Sequence, residues 1–381
     1  MNKYPAALPD PDALQATPPD YVALTAAIKL WAAELGFADL RVSDAILADA
    51  DAGLQSWLHA GFNGQMDYMA AHGQKRSQPA QLVPGTLRVI SVRMNYLPQD
   101  AAPDWRAQEW RRLADPAAAV VSVYARGRDY HKVLRQRLQK LTDKIAAEIG
   151  PFGHRVFTDS APVMEVELAQ QAGLGWRGKH TLLLDKDAGS VFFPGEIYTD
   201  LPLPVDPPTT SHCGSCSACI DVCPTKAIVG PYRLDARRCL SYLTIELKDS
   251  IPLELRPLIG NRVLGCDDCQ LVCPWNKFAQ KASLPDFDVR NALDTATLIE
   301  LFAWTEEEFT QRLEGSAIRR IGYQRWLRNM AVGLGNAAQQ RPNDPAMLAA
   351  LRARENDASE MVREHVSWAL AQHRLASQQQ P

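Results

Sequence analysis

The sequence predicts an α+β multidomain protein in three parts, and three observations predict it. All eight cysteines fall between Cys213 and Cys273. Ahead of them, short apolar and β-branched runs interleave with amphipathic helical stretches, the pattern of strands and helices sharing a core. After Pro274 the pattern is almost wholly helical. A disordered lead is expected at 1–20. An α/β domain follows at 21–205, a cysteine-bearing domain at 206–285 and an all-α domain at 286–381.

The bulk properties bound the answer. A chain of 381 residues exceeds one ordinary core. Its composition, 46% hydrophobic and 22% charged, is that of a soluble globular protein. The N-terminus is broken by prolines and lacks an apolar core of signal-peptide length. No apolar run approaches a membrane span. The expected location is the cytoplasm, with no membrane partner. The net charge of −3 gives no global sign of nucleic-acid binding, although a local basic face is compatible with it.

Taken in order, Val22, Leu24, Ile28, Leu30, Trp31 and Leu35 recur at helical spacing, and Gly36 ends that helix. Residues 53–75 read as a second helical stretch. Leu87 to Leu97 alternates and reads as a strand, and Val120 to Tyr124 is another short apolar run. Asp129 to Ile149 is a long amphipathic helix stopped by Gly150-Pro151. Arg155–Thr158 is a short strand, Ala161–Gln171 a helix and Thr181–Leu184 a strand. LPLPVDPPTT, at 201–210, is a proline-rich connector. Beyond residue 294, two stretches resemble each other loosely, AIRRIGYQRWLRNMAVGLGN and MVREHVSWALAQH. Stacked helical hairpins of the HEAT type would look like this, and so would an ordinary bundle.

The cysteine spacing carries the strongest chemistry. Cys213-x-x-Cys216-x-x-Cys219-x-x-x-Cys223-Pro is the bacterial ferredoxin run, in which three thiolates wrap one cubane and the fourth serves a second cluster. The run Cys266-x-x-Cys269-x-x-x-Cys273-Pro lacks its first cysteine, and Cys239 replaces it. Two [4Fe-4S] clusters then close the count. One takes Cys213, Cys216, Cys219 and Cys273, the other Cys223, Cys239, Cys266 and Cys269. Zinc uses paired hooks, and the triple run leaves one cysteine too many. A disulfide framework needs an oxidising compartment.

Other motifs admit two readings. Gly173-Leu-Gly175-Trp-Arg-Gly178 matches GxGxxG, but a helix precedes it and a strand follows, the reverse of a dinucleotide turn. The glycines instead let a loop pack closely. Asp159 is either an ordinary helix cap or an acid at a cleft edge. His131 at a helix start suits a cap or core role. The cobalamin signature D-x-H-x-x-G is absent, because no glycine follows Asp129-Tyr-His131 at that spacing. Arg319, Arg320, Arg325 and Arg328 form either a solvated helix face or a phosphate-contacting patch, with Arg319 placed to stack on Tyr323.

Together these stretches resemble the epoxyqueuosine reductase family. The resemblance is carried by Thr158-Asp159-Ser-Ala-Pro162, Ala172 through Thr181, Asp129-Tyr130-His131-Lys132, the cysteines, and Ile318 through Asn329. It implies reduction of a modified wobble base in a tRNA anticodon, with electrons from both clusters and an external low-potential donor. It also implies a monomer, and a base-off cobalamin without a protein histidine on cobalt. By resemblance Asp159 donates a proton, with a pKa raised by burial against the corrin. Ser122, Tyr124, His180, Thr181 and Ser241 join it around the cofactor, and the four arginines hold the tRNA. Two alternatives stand beside it. A small-molecule reductase of the dehalogenase type would commonly carry an export signal. A bare electron carrier would leave the N-terminal region without a purpose.

Overall fold

The computed structural model describes residues 19–47 and 50–378. The lead expected at 1–20 therefore lies outside the described residues, apart from its last two. The first helix, Tyr21–Glu34, begins where the Asp20 carboxylate accepts the N–H groups of Val22 and Ala23. It ends at Gly36, whose φ of +88° suits the glycine. The helical stretch expected at 53–75 is shorter and starts earlier, at Ala50–His59. Positive φ at Gly61, Gly64 and Gly73 breaks the rest into single turns.

A four-stranded sheet follows the order Asp39–Asp44, Arg88–Asn95, Phe192–Thr199, His154–Phe157. Every neighbouring pair in it is antiparallel. The N-terminal region is thus α+β, and the α/β expectation for it does not hold. Hydrophobic alternation reports burial on one face, but strand direction is set by connectivity. The strand Phe192–Thr199 escapes sequence reading because it contains Pro194 and Gly195, residues that ordinarily argue against a central strand. The fourth strand ends at Phe157, opposite Glu196, so Pro194 meets no ladder on that side.

Helix Tyr130–Ile149 lies across this sheet. Leu134, Leu138, Leu141 and Ile145 fall on one face at helical spacing and are fully buried. Each contributes about 1.5–3 kcal/mol through burial. A Cβ on Gly195 would lie 3.2 Å from Leu138 and 3.3 Å from Leu134, so the glycine lets the helix seat closely.

The proline-rich connector is packed rather than loose. Leu201 and Leu203 are buried. The Asp206 N–H donates to the Val42 carbonyl, and its carboxylate accepts from Val42 and Lys29. The cysteine region is also tied back, because Val120–Val121 pairs in parallel with Arg262–Leu264. The apolar core of the C-terminal helices takes in Val121, Val263 and Leu264 as well.

The two loosely similar C-terminal stretches become helices Tyr323–Ala337 and Glu360–Gln378, packed on each other. They approach at Gly335, where a Cβ would lie 2.5 Å from Trp368 and 2.9 Å from Ala369. Gly335→Ala is expected to destabilise the protein by about 1–3 kcal/mol through overpacking. A thermal midpoint unchanged from wild type would contradict this close packing.

Candidate active site

Asp159 leaves the edge strand His154–Phe157 in a left-handed conformation, φ +49°. The helix after it starts only at Glu165, so Asp159 is not its cap. Its side chain is 52% exposed and lies on the wall of two recesses, of 550 and 410 Å³. Its Oδ2 accepts from the Tyr130 hydroxyl and lies 2.8 Å from His131 Nε2. His131 Nδ1 is 2.7 Å from Asp129 Oδ1, and the same carboxylate caps the helix through the His131 N–H. The Tyr130 ring stacks on Phe193 at 4.2 Å, which fixes its direction. Arg320 Nη1 lies 2.7 Å from His131 Nε2, so this nitrogen stands between a carboxylate and a guanidinium.

The surrounding charges act on where the proton sits. Burial pushes the Asp159 pKa up, but hydrogen bonds from His131 and Tyr130, with the positive charges of His131 and Arg320, bring it below the ordinary carboxylate range. Burial pushes His131 down, and Asp129 and Asp159 more than reverse this. Both shifts favour an imidazolium beside an ionised Asp159, and the Arg320 donor at the same Nε2 opposes a proton on that atom. The expected rise was argued from burial against a corrin, and these protein partners act in the opposite direction. Glu165 lies against the same loop, where its carboxylate accepts the Asp159 N–H. Burial first, and then the Asp159 charge, push Glu165 up to about 8.

Three adjoining recesses run along this site. The 550 Å³ recess, bounded by Tyr68, Arg76, Asp159 and Thr181, shares Leu54, Met69, Arg177 and Thr181 with one of 530 Å³. It shares Asp159, Glu246 and Arg320 with the 410 Å³ recess, which Tyr124, Cys239 and Ser241 also line. Tyr124, Asp159, Thr181 and Ser241 are thus brought to one cleft. Two expected members are elsewhere. Ser122 is buried and donates to Asp267, bracing the loop of Cys266 and Cys269. His180 is buried in a separate recess beside Cys213, where Nδ1 accepts from the Leu182 N–H. Burial lowers its pKa to about 4, leaving it neutral.

One of the two expected cysteine sets shares a recess. Cys213, Cys216, Cys219 and Cys273 line one recess of 260 Å³. Burial raises the thiol pKa values of Cys239, Cys266 and Cys269, and the charges of neighbouring cysteines, Cys223 among them, add to it. Trp176 Nε1 donates to Cys213 Sγ at 3.5 Å, and the Ala227 N–H to Cys223 Sγ at 3.3 Å.

The arginine group divides. Arg319 and Arg320 are exposed. Gly322 separates Arg319 from the helix of Tyr323, and Arg354 covers that ring instead. Arg325 is half-buried and spends its donors on the carbonyls of Ile321, Ile245 and Arg320. Arg328 is fully buried and cannot meet a phosphate. It donates to the carbonyls of Leu243, Leu247 and Asp249, anchoring the segment that follows Cys239. Arg328→Ala is expected to cost about 3 kcal/mol or more, since several buried carbonyls lose their donor. A loss of RNA affinity at unchanged thermal stability would contradict this assignment.

Residue patterns missed Tyr130, Glu165 and Glu196, and left His131 as a bland cap. The available signal was Asp129-Tyr130-His131 at a helix start, where cap, hydroxyl and imidazole must emerge together.

Two family profiles match the chain, 4Fe-4S double cluster binding domain over residues 212–276 and epoxyqueuosine reductase QueG over 76–160. A protein named epoxyqueuosine reductase from Burkholderia pseudomallei is 64% identical over 91% of each chain. One from Pseudomonas aeruginosa is 62% identical, covering 96% of this chain and 99% of its own. Among solved structures, an epoxyqueuosine reductase with an epoxyqueuosine-modified tRNA-Tyr stem loop superposes with a TM-score of 0.81. It is 25% identical, over 94% of this chain and 95% of that one.

Proposed function

The chain belongs to the epoxyqueuosine reductase family, and from this we infer that it reduces epoxyqueuosine to queuosine at the wobble position of tRNA anticodons. It is a reductase carrying two [4Fe-4S] clusters. The observation that carries the reading is one cleft in which Asp159, a cluster-domain cysteine and Arg320 share a wall. An anticodon loop is single-stranded, so its base can be splayed into such a cleft. The alternative, a dehalogenase-like small-molecule reductase, leaves the tRNA-complexed relative without explanation.

Cys213, Cys216, Cys219 and Cys273 are assigned to one cluster, and Cys223, Cys239, Cys266 and Cys269 to the other. Cobalamin would be held along the adjoining recesses of 550 and 410 Å³, by residues that include Thr181, Asp159, Tyr124 and Ser241. His131, beside Asp159, has both ring nitrogens engaged, which favours a cofactor with no histidine on cobalt. When bound, cobalamin supplies a low-valent cobalt for opening the epoxide, and the clusters supply electrons singly. The chain's own part is to orient the base, exclude water and deliver protons through the Asp159–His131 couple. Residues 21–205 form the cofactor-binding region, 206–285 the cluster domain and 286–381 a HEAT-like unit that holds the tRNA. The enzyme works as a cytoplasmic monomer with an external low-potential donor. No helix among the described residues is long and apolar enough to cross a membrane.

Cells lacking their own reductase accumulate the epoxide in tRNA. Supplying this chain is expected to restore queuosine, and persistent epoxide with full expression would contradict the reading. Arg319→Ala is expected to weaken tRNA binding and reduce its salt slope by roughly one unit. An unchanged slope would return Arg319 to a solvated face.

A further inference from the structure

Resting on the epoxide-reduction reading, we propose that Glu165 is a second proton store of this site. It is paired with a protonated Glu196 and supplies one of the two protons that the reaction consumes. The balance requires two. An epoxide takes up two electrons and two protons, both carbon–oxygen bonds break, a carbon–carbon double bond forms, and the oxygen leaves as water. The Asp159–His131 couple holds one proton, so a second holder has to reach the same cleft.

Glu165 meets that need by geometry. It begins the helix after the Asp159 loop and lines the 550 Å³ recess beside Asp159. Behind it, on the central strand, Glu196 is wholly buried. Both Glu196 oxygens lack any donor among the described residues. A carboxylate there would be an unpaired buried charge. A protonated Glu196 resolves this, since its O–H can donate to Glu165, whose helix packs on the strand that carries Glu196. The groups facing the pair are Asp159, His131 and Tyr130 from one side, Arg76 from the turn at 73–76, and Tyr198 on the strand.

Burial pushes both carboxyls up. Glu165 lines the recess and Glu196 is wholly buried behind it, so Glu165 is the one that releases. Once it has done so, the Glu196 O–H donates to the Glu165 carboxylate, and no buried acceptor is stranded. The proton is present at neutral pH and is lost as pH rises through about 8.

The test compares wild type, Glu165→Gln and Glu196→Gln, each with iron and corrinoid content checked. Wild-type turnover is expected to fall above about pH 8. Glu165→Gln keeps an amide oxygen to accept the Asp159 N–H, so a merely structural role predicts wild-type rates and an unchanged alkaline limb. The proton role predicts a rate on the order of 10²-fold lower and no limb at that pH. Glu196→Gln replaces the Glu196 O–H by a weaker amide donor to the Glu165 carboxylate and should move the limb to higher pH. Infrared spectroscopy adds a readout independent of turnover. Two protonated carboxyl bands are expected at neutral pH, and one of them is lost on alkalinisation through about 8 and missing in Glu165→Gln. Absence of that band in wild type, or a wild-type pH profile in Glu165→Gln, would overturn the proposal. No conversion by wild type itself would instead overturn the epoxide-reduction reading.

Discussion

Asp159→Asn is expected to lower epoxide reduction on the order of 10²- to 10⁴-fold while iron content and corrinoid binding stay at wild-type levels. The substitution is close to isosteric, and the amide oxygen still accepts from Tyr130, so the loop keeps its shape. What disappears is the carboxylate that holds a proton on His131. Removing it lowers the His131 pKa, because Asp159 is one of the two carboxylates that raise it. The sign in pH follows from the pair. His131, raised, contributes stability below its unfolded pKa that is lost as pH rises through its folded value. Asp159 and Asp129, depressed, contribute stability above the usual carboxylate range that is lost as pH falls. The couple is therefore intact between these limits and weakens on either side. Turnover of Asp159→Asn near the wild-type rate would remove Asp159 from the chemistry and leave it as a loop residue.

Cys239→Ala is expected to abolish turnover and to remove roughly half of the iron, since a cubane needs four protein ligands. The informative comparison is with Cys223→Ala. Cys223 sits in the first sequence run, four residues beyond Cys219. If it serves the second cluster, the two variants lose the same paramagnetic signal and keep the same one. Cys216→Ala and Cys273→Ala should then form the complementary pair. Were Cys223 instead to complete the cluster of its own run, Cys223→Ala would match Cys216→Ala, and the crossed assignment would fail. Cys239 also lines the Asp159 cleft, so under the proposed assignment its cluster would be the one nearer the substrate.

Much of this was legible in the residues, and the misses have physical causes. Ligand spacing is local, so a double-cluster domain could be read from the cysteines without a fold. The helix at 130–149 was legible because apolar periodicity, an Asp cap and a Gly-Pro stop agree. The glycines of Gly173–Gly178 behave as expected of a closely packed loop. A Cβ on Gly173 would lie 2.1 Å from the Pro207 carbonyl oxygen, and one on Gly175 2.3 Å from that of Leu184. The central strand Phe192–Thr199 was hidden by Pro194, whose tolerance depends on where a distant strand stops. Glu196 was hidden with it. Arg328 looked like its exposed neighbours, because a basic residue on a helix reads as solvated unless the carbonyls that receive it are known. The pKa direction of Asp159 depends on Tyr130, His131 and Arg320, which approach it from two other segments.

The central claim is that this chain removes the epoxide oxygen from a tRNA base with cobalamin in the cleft. Its most direct measurement is a nucleoside digest. Protein purified without oxygen would be supplied with cobalamin and a low-potential reductant, then incubated with tRNA carrying epoxyqueuosine. Mass spectrometry of the nucleosides is expected to show loss of one oxygen, dependent on cobalamin. An unchanged epoxide, with clusters and cobalt both confirmed present, would contradict the account and favour a small-molecule substrate. Conversion without cobalamin would keep the substrate and remove the cofactor from the cleft.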